Sequence, residues 1–347
     1  MLSGNTGSDC EAVLYTWQHQ WKAVRHYFQE VWIKVIEMIN FEDCPINDRV
    51  YGGAARRKLG VVYEGQNYIL KFPGNLKDKQ LKNIKTSYSN APVSEYIGSH
   101  AYELIGMPVH ETKLGVYKNR VVVGCKDFLL EGENLIEFEK IKVTFLPPFL
   151  DSNGEETNGT GTDLQEVLMT IQEHPMLNRI SGIEEHFWNM FVVDAFIGNP
   201  DRNNANWGII KKADGSFSIT PVYDNGNCLN NRWDDETMKK VLIDPGIMEN
   251  ESYKRKTNIF MIKEHHVKPC EYIYTKRNEK CNEAVKRLVP KIDMEKIKSM
   301  IYEIPCISDV RKKFYTSMIS MRYEKVLLPT FQELVNMRSR GIDMMSL

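Results

Sequence analysis

The segment Gly198–Trp207, with the sequence GNPDRNNANW, is the most informative part of the chain about fold and chemistry. It follows a predicted helix and precedes a predicted hairpin, whose returning strand ends at the turn DNG at positions 224–226. This order brings Asp201, Asn206 and Asp224 together at one end of the hairpin. In phosphoryl transfer one Asp accepts or orients the proton of the attacking hydroxyl, and an Asn and a second Asp hold Mg²⁺ against the nucleotide phosphates. We therefore predict Asp201 as the catalytic base and Asn206 and Asp224 as magnesium ligands.

Taken singly, the NPD and DNG segments are compatible with ordinary turns, because Asn, Asp, Pro and Gly favour turns for local reasons. The spacing of the two segments, with a strand-turn-strand unit between them, favours a catalytic site instead. Their oxygen donors are also the ligands that a hard cation such as Mg²⁺ prefers.

The front of the chain supplies candidate nucleotide-binding residues. The segment at 51–58, YGGAARRK, places small residues between predicted strands. Its residues Gly52, Gly53 and Ala54 would let the backbone approach phosphates closely. Paired glycines between strands also occur in simple turns and bulges, so this segment alone leaves both interpretations open.

Lys71 lies inside the apolar strand sequence YILKF at 68–72. A charge in such a strand is costly without an anionic partner, and an ATP phosphate is the partner we predict. The alternative is a lysine that faces solvent from an edge strand. Glu95 lies on the helix that follows and is a candidate partner for Lys71. On a helical wheel, however, Glu95 is opposite the apolar face, so a solvated surface position is the competing interpretation.

Hydrophobic patterning predicts a strand-rich front and a helix-rich back, and hence a two-lobed α+β fold with the ATP site in the cleft. The predicted strands are 35–39, 58–63, 67–72, 111–117 and 120–128, with tight turns at 64–65 and 118–119. One helix is predicted to start after Asn90 and to end at Gly106. Further helices are predicted at 163–173, 183–197, 282–288, 294–302 and 308–337, with an interruption at Pro329. We expect an aromatic N-terminal extension at 1–33, a β-rich lobe at 34–128 and a helical lobe at 129–347.

Composition excludes several classes of protein. The 347 residues include 42% hydrophobic residues, enough for a large core, and the formal net charge of −1 gives no basis for direct nucleic-acid binding. No stretch reaches the roughly 20 apolar residues that a membrane-spanning helix needs, and no secretory signal is recognisable. Seven scattered cysteines without a CxxC pair suit a reducing compartment. We therefore expect a cytoplasmic protein that does not act at a membrane, and export to a host cell stays open as an alternative.

The order and spacing of the motifs resemble the HipA-like kinases, in particular their short single-chain, CtkA-like branch. The similarity runs from about residue 34 to about residue 323 and leaves the first 33 residues outside. The matching stretches are GGA at 52–54, YILKFP at 68–73, SEY at 94–96, YKN at 117–119, CKDF at 125–128, FWNMF at 187–191, GNPDR at 198–202, NWG at 206–208 and PVYD at 221–224.

This resemblance implies a bilobal kinase-like fold that uses ATP and Mg²⁺ and transfers phosphate to a Ser or Thr of a protein substrate. It gives Asp201, Asn206, Asp224 and Lys71 the same roles as above. It also places Lys126, Asp127 and Phe128 at the hinge that would hold adenine, mainly through backbone groups. Several members of the family are toxins held in check by a partner, so an antitoxin-like partner protein is implied as well.

The chain departs from the family in its Gly-rich region. Family members often carry a serine ahead of this loop whose autophosphorylation inactivates the enzyme, but no Ser or Thr occurs between Val50 and Leu70. Loop-serine self-inactivation is therefore not expected, and Ser87, Ser89 and Ser94 are the remaining candidates for autophosphorylation nearby. Two other functions stay open: a lipid or small-molecule kinase of related fold, and a nucleotide-binding pseudokinase that acts through a partner.

Overall fold

The computed structural model describes residues 36–49, 51, 58–74, 89–145, 161–254, 260–262 and 265–339. The aromatic extension predicted at 1–33, residues Gly52, Gly53 and Ala54, and the autophosphorylation candidate Ser87 lie outside the described residues. Within the described ranges, no helix combines the length and the apolar content that crossing a bilayer requires.

The front of the molecule is a five-stranded sheet in the order β1-β4-β5-β3-β2. Its strands are β1 (Ile39–Asn40), β2 (Lys58–Tyr63), β3 (Gln66–Lys71), β4 (Thr112–Tyr117) and β5 (Arg120–Lys126). β1 pairs with β4 in parallel, and the other neighbours are antiparallel. The strand predicted at 35–39 is reduced to β1, since residues 36–38 form no strand.

Both predicted tight turns of this sheet are confirmed. Glu64 and Gly65 have φ angles of 49° and 71°, and Lys118 and Asn119 have 48° and 57°. Two successive positive φ angles match the right-handed twist of a hairpin, which is why short polar residues and glycine favour such turns. Each turn fixes the register of its strand pair.

The two faces of the sheet have different neighbours. One face carries Val61, Leu70 and Val122, which pack with the buried Phe41 in a small core. The other face is covered by the helix α1 (Ala91–Leu104), which starts after Asn90 as predicted and is followed by Gly106 at φ 82°. Because side chains alternate along a strand, Lys71 points away from Phe41 and toward α1.

The back of the molecule contains helices and a small sheet. The helices are α2 (Phe138–Phe145), α3 (Leu164–Glu173), α4 (Ile183–Ile197), α5 (Asp235–Ile243), α6 (Pro245–Glu249), α7 (Pro269–Tyr274), α8 (Glu279–Leu288), α9 (Met294–Tyr302), α10 (Asp309–Arg322) and α11 (Leu328–Ser339). The sheet runs β6-β7-β8, with β6 (Asn134–Glu137), β7 (Gly208–Lys211) and β8 (Phe217–Ile219), and a further hairpin joins β9 (Met261–Ile262) and β10 (His265–His266).

α4 is the central helix of this part, and its bounds are those predicted from sequence. Twelve of its 15 residues are buried, including Phe187, Trp188 and Phe191. A helix that is apolar on all sides is stable only inside a core. It ends at Gly198, whose φ of 67° is a left-handed conformation that closes helices.

Strand β6 and the last long helix test the sequence-based expectation for the back of the molecule. Strand β6 is not predicted: the sequence indicates a helical lobe from residue 129 on and no strand ahead of the hairpin that follows Trp207, whereas residues Asn134–Glu137 pair antiparallel with β7. The long helix predicted at 308–337 is interrupted just ahead of Pro329, where a wide helical turn at Tyr323–Leu327 connects α10 to α11. Pro329 has no N–H to donate and its ring crowds the carbonyl four residues earlier, which disfavours regular α-helical hydrogen bonding at this place.

Candidate active site

Lys71 connects the front sheet to the returning hairpin segment. Its Nζ atom lies 3.0 Å from Glu95 Oε2 on α1 and 2.8 Å from Asp224 Oδ1. Burial alone would lower the pKa of Lys71, but the negative charges of Asp224 and Glu95 outweigh it and raise the pKa well above its ordinary value. Lys71 is therefore a fixed ammonium group between two carboxylates.

Glu95 is the buried partner of Lys71, with a side chain only 1% exposed. Its second oxygen, Oε1, accepts a hydrogen bond from the backbone N–H of Asn225 at 3.0 Å and lies 2.9 Å from His110 Nε2. Burial would raise the pKa of Glu95, but the charge of Lys71 and the bonds from His110 and Asn225 hold it well below its usual range. The solvated position considered from the helical wheel is wrong, because the face of α1 opposite its apolar stripe is covered by the segment around Asn225.

Asp201 is held at the start of the loop that follows α4. Its carboxylate accepts hydrogen bonds from Asn227 Nδ2 at 2.6 Å and from Asn203 Nδ2 at 3.4 Å. Burial is the main reason that the pKa of Asp201 is raised, and the nearby charge of Asp224 adds to it, while the two amide bonds oppose it. The result is an oriented carboxylate that is more basic than an exposed Asp.

Asn206 closes the same loop onto Asp201. Its side-chain amide nitrogen donates to the backbone carbonyl of Asp201 at 2.8 Å, which leaves Oδ1 as the amide atom available to a cation. Asp224 has a φ of 62°, a left-handed conformation that Asp tolerates, and its side chain is 46% exposed. A carboxylate and an amide oxygen form a donor set that fits Mg²⁺.

Arg202 fixes the relative position of these pieces. Its guanidinium is buried and paired with Asp194 of α4, with Nε 2.8 Å from Oδ2. Nη1 donates to the backbone carbonyls of both Asn206 and Tyr223, so the residue preceding Asp224 is held against the Asn206 loop. Nη2 donates to Asn225 Oδ1 at 2.6 Å.

Three supporting residues were missed by sequence reasoning. Asp194 gave a usable signal, because a charge within an otherwise apolar helix requires a buried partner. Asn225 was assigned only to a turn, yet it contacts Glu95, Arg202 and Ser99 at once. His110 gave no signal, since it is a single residue between α1 and β4. Its side-chain contacts, with Glu95 and Ser99, form only in the folded chain.

His110 also belongs to a cluster of metal-capable groups. Among the described residues, ligand atoms of Glu95, His110 and Cys125 lie within 4.8 Å of one another, all buried. The Glu95 carboxylate is already bound by Lys71, His110 and the Asn225 N–H. The cluster thus acts as a hydrogen-bonded support for the Lys71 ion pair.

The residues predicted at the hinge lie at and just after the end of β5. Asp127 Oδ2 lies 2.7 Å from Arg49 Nη1 and 3.2 Å from the Tyr51 hydroxyl, and Lys126 Nζ lies 3.5 Å from Glu111. The ring of Phe128 packs 5.7 Å from that of Tyr223, measured between centroids. These side chains brace the strand end against its neighbours, and their adenine-binding role stays a prediction.

Comparison with known proteins places this site in context. The serine/threonine-protein kinase CtkA of Helicobacter pylori is 34% identical over 294 residues, which cover 83% of this chain and 86% of that protein. The crystal structure of a Helicobacter pylori proinflammatory kinase CtkA matches with a TM-score of 0.78 at 30% identity, over 87% of this chain and 99% of that one. No family model matches the chain.

A more distant likeness concerns the fold alone. A structure from the HipA, HipB and operator DNA complex of Shewanella oneidensis has a TM-score of 0.51 at 12% identity, over 82% of this chain and 67% of the other. The α+β bilobal arrangement expected from the sequence is thereby confirmed as the fold shared by CtkA and HipA.

Proposed function

This chain belongs to the CtkA family of HipA-like serine/threonine-protein kinases, and from that premise we propose that it transfers the γ-phosphate of ATP, with Mg²⁺, to a serine or threonine hydroxyl of a protein substrate. The observation that carries this proposal is the Lys71 ammonium held between Glu95 and Asp224. Of these contacts, the Lys71–Glu95 ion pair is the one that enzymes of the protein-kinase type need in place for catalysis, together with an Asp that holds the metal.

Lys71 has the role of a phosphate anchor. Its fixed positive charge would bind the nucleotide phosphates, and the buried Glu95 keeps the ammonium from turning away. Asn206 and Asp224 would hold Mg²⁺, which neutralises charge on the phosphates when bound. Gly52, Gly53 and Ala54, outside the described residues, are proposed to cover the phosphates.

Asp201 has the role of general base. The acceptor hydroxyl would give its proton to the Asp201 carboxylate as its oxygen attacks the γ-phosphorus and the bond to ADP breaks. The hydrogen bonds from Asn203 and Asn227 orient that carboxylate, and burial makes it more basic.

The resemblance to HipA-like kinases also leads us to propose an inhibitory, antitoxin-like partner protein and autophosphorylation. Of the candidate serines near the Gly-rich region, Ser94 is fully buried and Ser89 is 8% exposed. The Ser89 hydroxyl moreover accepts a hydrogen bond from the backbone N–H of Gly74. Ser87 lies outside the described residues and stays a candidate, so self-labelling is expected at hydroxyls other than those of Ser89 and Ser94, and peptide mapping identifies them.

The test is intact-mass spectrometry after incubation with ATP and Mg²⁺, with and without casein or myelin basic protein. Wild type should gain, or transfer to the acceptor, whole phosphate units, whereas Asp201→Asn should lower transfer by roughly 10²-fold or more and retain nucleotide binding. Asp224→Ala should abolish transfer. The matched control is Asp214→Asn, in the exposed turn of the β7–β8 hairpin, which should behave like wild type.

Two results would contradict the proposal. Unchanged transfer by Asp201→Asn would remove that residue from the role of base. Phosphate that appears in a lipid fraction and never in protein would replace the protein acceptor by a lipid.

A further inference from the structure

Arg322, the last residue of α10, carries a positive charge into the interior beside the end of α4. The residue is only 1% exposed. In the described part of the chain no carboxylate pairs with it, and burial lowers the pKa of its guanidinium. The buried Arg202, by contrast, has Asp194 as its ion-pair partner. A buried charge without an ion-pair partner is costly unless other polar groups compensate it, so the groups that bind Arg322 indicate its role.

The compensating groups are backbone carbonyls. Nε of Arg322 donates to the carbonyl of Ser252 at 2.8 Å, in the wide helical turn Asn250–Lys254. Nη1 donates to the carbonyl of Phe196 at 3.3 Å. Phe196 is one of the last four residues of α4, whose carbonyls lack partners within the helix and carry the partial negative charge of the helix end. The C-terminal end of α4 thus takes the place of a counter-ion for Arg322.

The same guanidinium lies against the residue at which the chain leaves α4. A Cβ atom placed on Gly198 would lie 2.6 Å from Cζ and 2.8 Å from Nη1 of Arg322, far inside van der Waals contact. The backbone N–H groups of Gly198 and Asn199 both donate to the Asp194 carbonyl. The Asn199 side chain in turn accepts a hydrogen bond from the backbone N–H of Asp201 at 3.3 Å. The chain from Gly198 to Asp201 is therefore built directly on the end of α4.

We propose that Arg322 is a positioning residue for phosphate transfer: its guanidinium holds the end of α4 and the Gly198 backbone, and thereby sets the direction in which the Asp201 carboxylate points. The inference rests on the proposed function, because it takes Asp201 as the base. The competing role is purely structural: Arg322 would join α10 to the rest of the helical part, and Arg202 alone would fix the Asp201 loop.

A double-mutant cycle distinguishes the two roles. Transfer of labelled phosphate from ATP, to the protein itself and to casein, is measured for wild type, Arg322→Met, Asp201→Asn and the double variant, and kcat is expressed per folded molecule after urea denaturation. The matched control is Arg287→Met on α8. It removes an arginine that donates to Asn189 of the same helix α4 at 2.7 Å, away from the end of that helix.

We expect Arg322→Met to lower kcat by about 10–100-fold, the cost of misplacing a reacting group by about 1 Å. The KM for ATP should change by less than about three-fold, because the nucleotide is bound by other residues. In the Asp201→Asn background the same substitution should lower kcat by less than about three-fold, since two changes that act through one carboxylate are not additive. Arg287→Met should keep kcat within about two-fold of wild type, because it leaves the end of α4 in place.

Other outcomes overturn the inference. An unchanged kcat in folded Arg322→Met excludes positioning, and equal losses with and without the Asp201 carboxylate assign Arg322 a structural role. If Arg322→Met does not fold, Arg322→Lys takes its place in the cycle, since an ammonium keeps the charge but not the planar set of donors. An unchanged kcat, equal losses or failure to fold in that variant again assign a structural role. Wild type that transfers no phosphate overturns the proposed function itself, which is distinct from a defect confined to the Arg322 variants.

Discussion

At Gly98, the helix α1 that carries Glu95 closely approaches the segment that carries Asp224. A Cβ atom at Gly98 would lie 2.8 Å from Asn225 Cβ, 3.2 Å from Cys228 Sγ and 3.4 Å from Ile197 Cδ1. Real carbon–carbon contacts settle at about 3.5–4.0 Å. The substitution Gly98→Ala therefore forces α1 and the Asn225 segment apart by about 0.7–1.2 Å.

This displacement acts directly on the ion pair of the site. Glu95 is one helical turn from Gly98, and its Oε2 lies 3.0 Å from Lys71 Nζ. A shift of about 1 Å would lengthen this contact beyond hydrogen-bonding distance. Misplacement of that size in a catalytic arrangement costs about 10²-fold in rate, so we expect kcat to fall by about 10–100-fold.

Stability should respond much less than activity. Ala is more favourable than Gly within a helix by about 1 kcal/mol, whereas overpacking costs about 1–3 kcal/mol. The free energy of unfolding should therefore decrease by no more than about 2 kcal/mol. A general loss of folding would instead lower activity and stability together.

The assay combines steady-state phosphate transfer with urea denaturation of the same preparations. Gly246→Ala is the matched control, because Gly246 lies in the helix α6 and its Cβ would meet only the flexible Asp244 carboxylate, at 3.3 Å. It should leave kcat unchanged. A Gly98→Ala enzyme with kcat within two-fold of wild type would refute the claim that this close approach positions Glu95.

Three further perturbations test other parts of the site and its support. Asn227→Ala removes the 2.6 Å hydrogen bond, and Asn203→Ala the 3.4 Å hydrogen bond, that oppose the raised pKa of Asp201. In each variant the pKa should rise further and the acidic limb of the kcat–pH profile should move to higher pH; a limb that moves to lower pH would contradict this assignment. His110→Leu removes the contacts to Glu95 Oε1 at 2.9 Å and to Ser99 Oγ at 3.2 Å, so kcat should fall by about 10-fold. His110→Gln should recover part of this loss, and equal activities of the two variants would exclude a positioning role for His110. Gly198→Ala places a Cβ at φ 67° and only 2.6 Å from Cζ of the Arg322 guanidinium, so urea denaturation should show that the free energy of unfolding falls by about 2–4 kcal/mol. Gly182→Ala, where φ is 80° but nothing lies within 4 Å, should lower it by about 1–2 kcal/mol, and equal losses in the two variants would mean that Arg322 moves aside without cost.

Elements with strong local signals could be predicted from the sequence. The hairpin turns at 64–65 and 118–119 and the helix α4 each follow from residues within one short window. Strand β6 could not be predicted in the same way, because its four residues are stabilised by pairing with β7, about 70 residues later in the chain. Local pattern carries no information about such a partner.

The residues of the candidate site show the same difference between local sequence signals and contacts made with distant segments. Lys71, Asp201, Asn206 and Asp224 could be selected because their types and spacing suit phosphoryl transfer. The burial of Glu95 could not be predicted, because a helical wheel assumes that one side of a helix faces solvent. In the structure, ten of the 14 residues of α1 are buried, and its second side is covered by a segment 130 residues away from Glu95.

The position of α1 is thus set by the segment around Asn225 as much as by the sheet. Asn225 donates from its backbone N–H to Glu95 and from its side chain to Ser99, and the Cys228 thiol donates to the Ser94 carbonyl. Since Arg202 binds Asn225 from the other side, one continuous set of contacts links Lys71 to the loop of Asp201. The ion pair and the Asp201 loop are therefore positioned by one buried structure, and a change that moves either end is expected to reach the other.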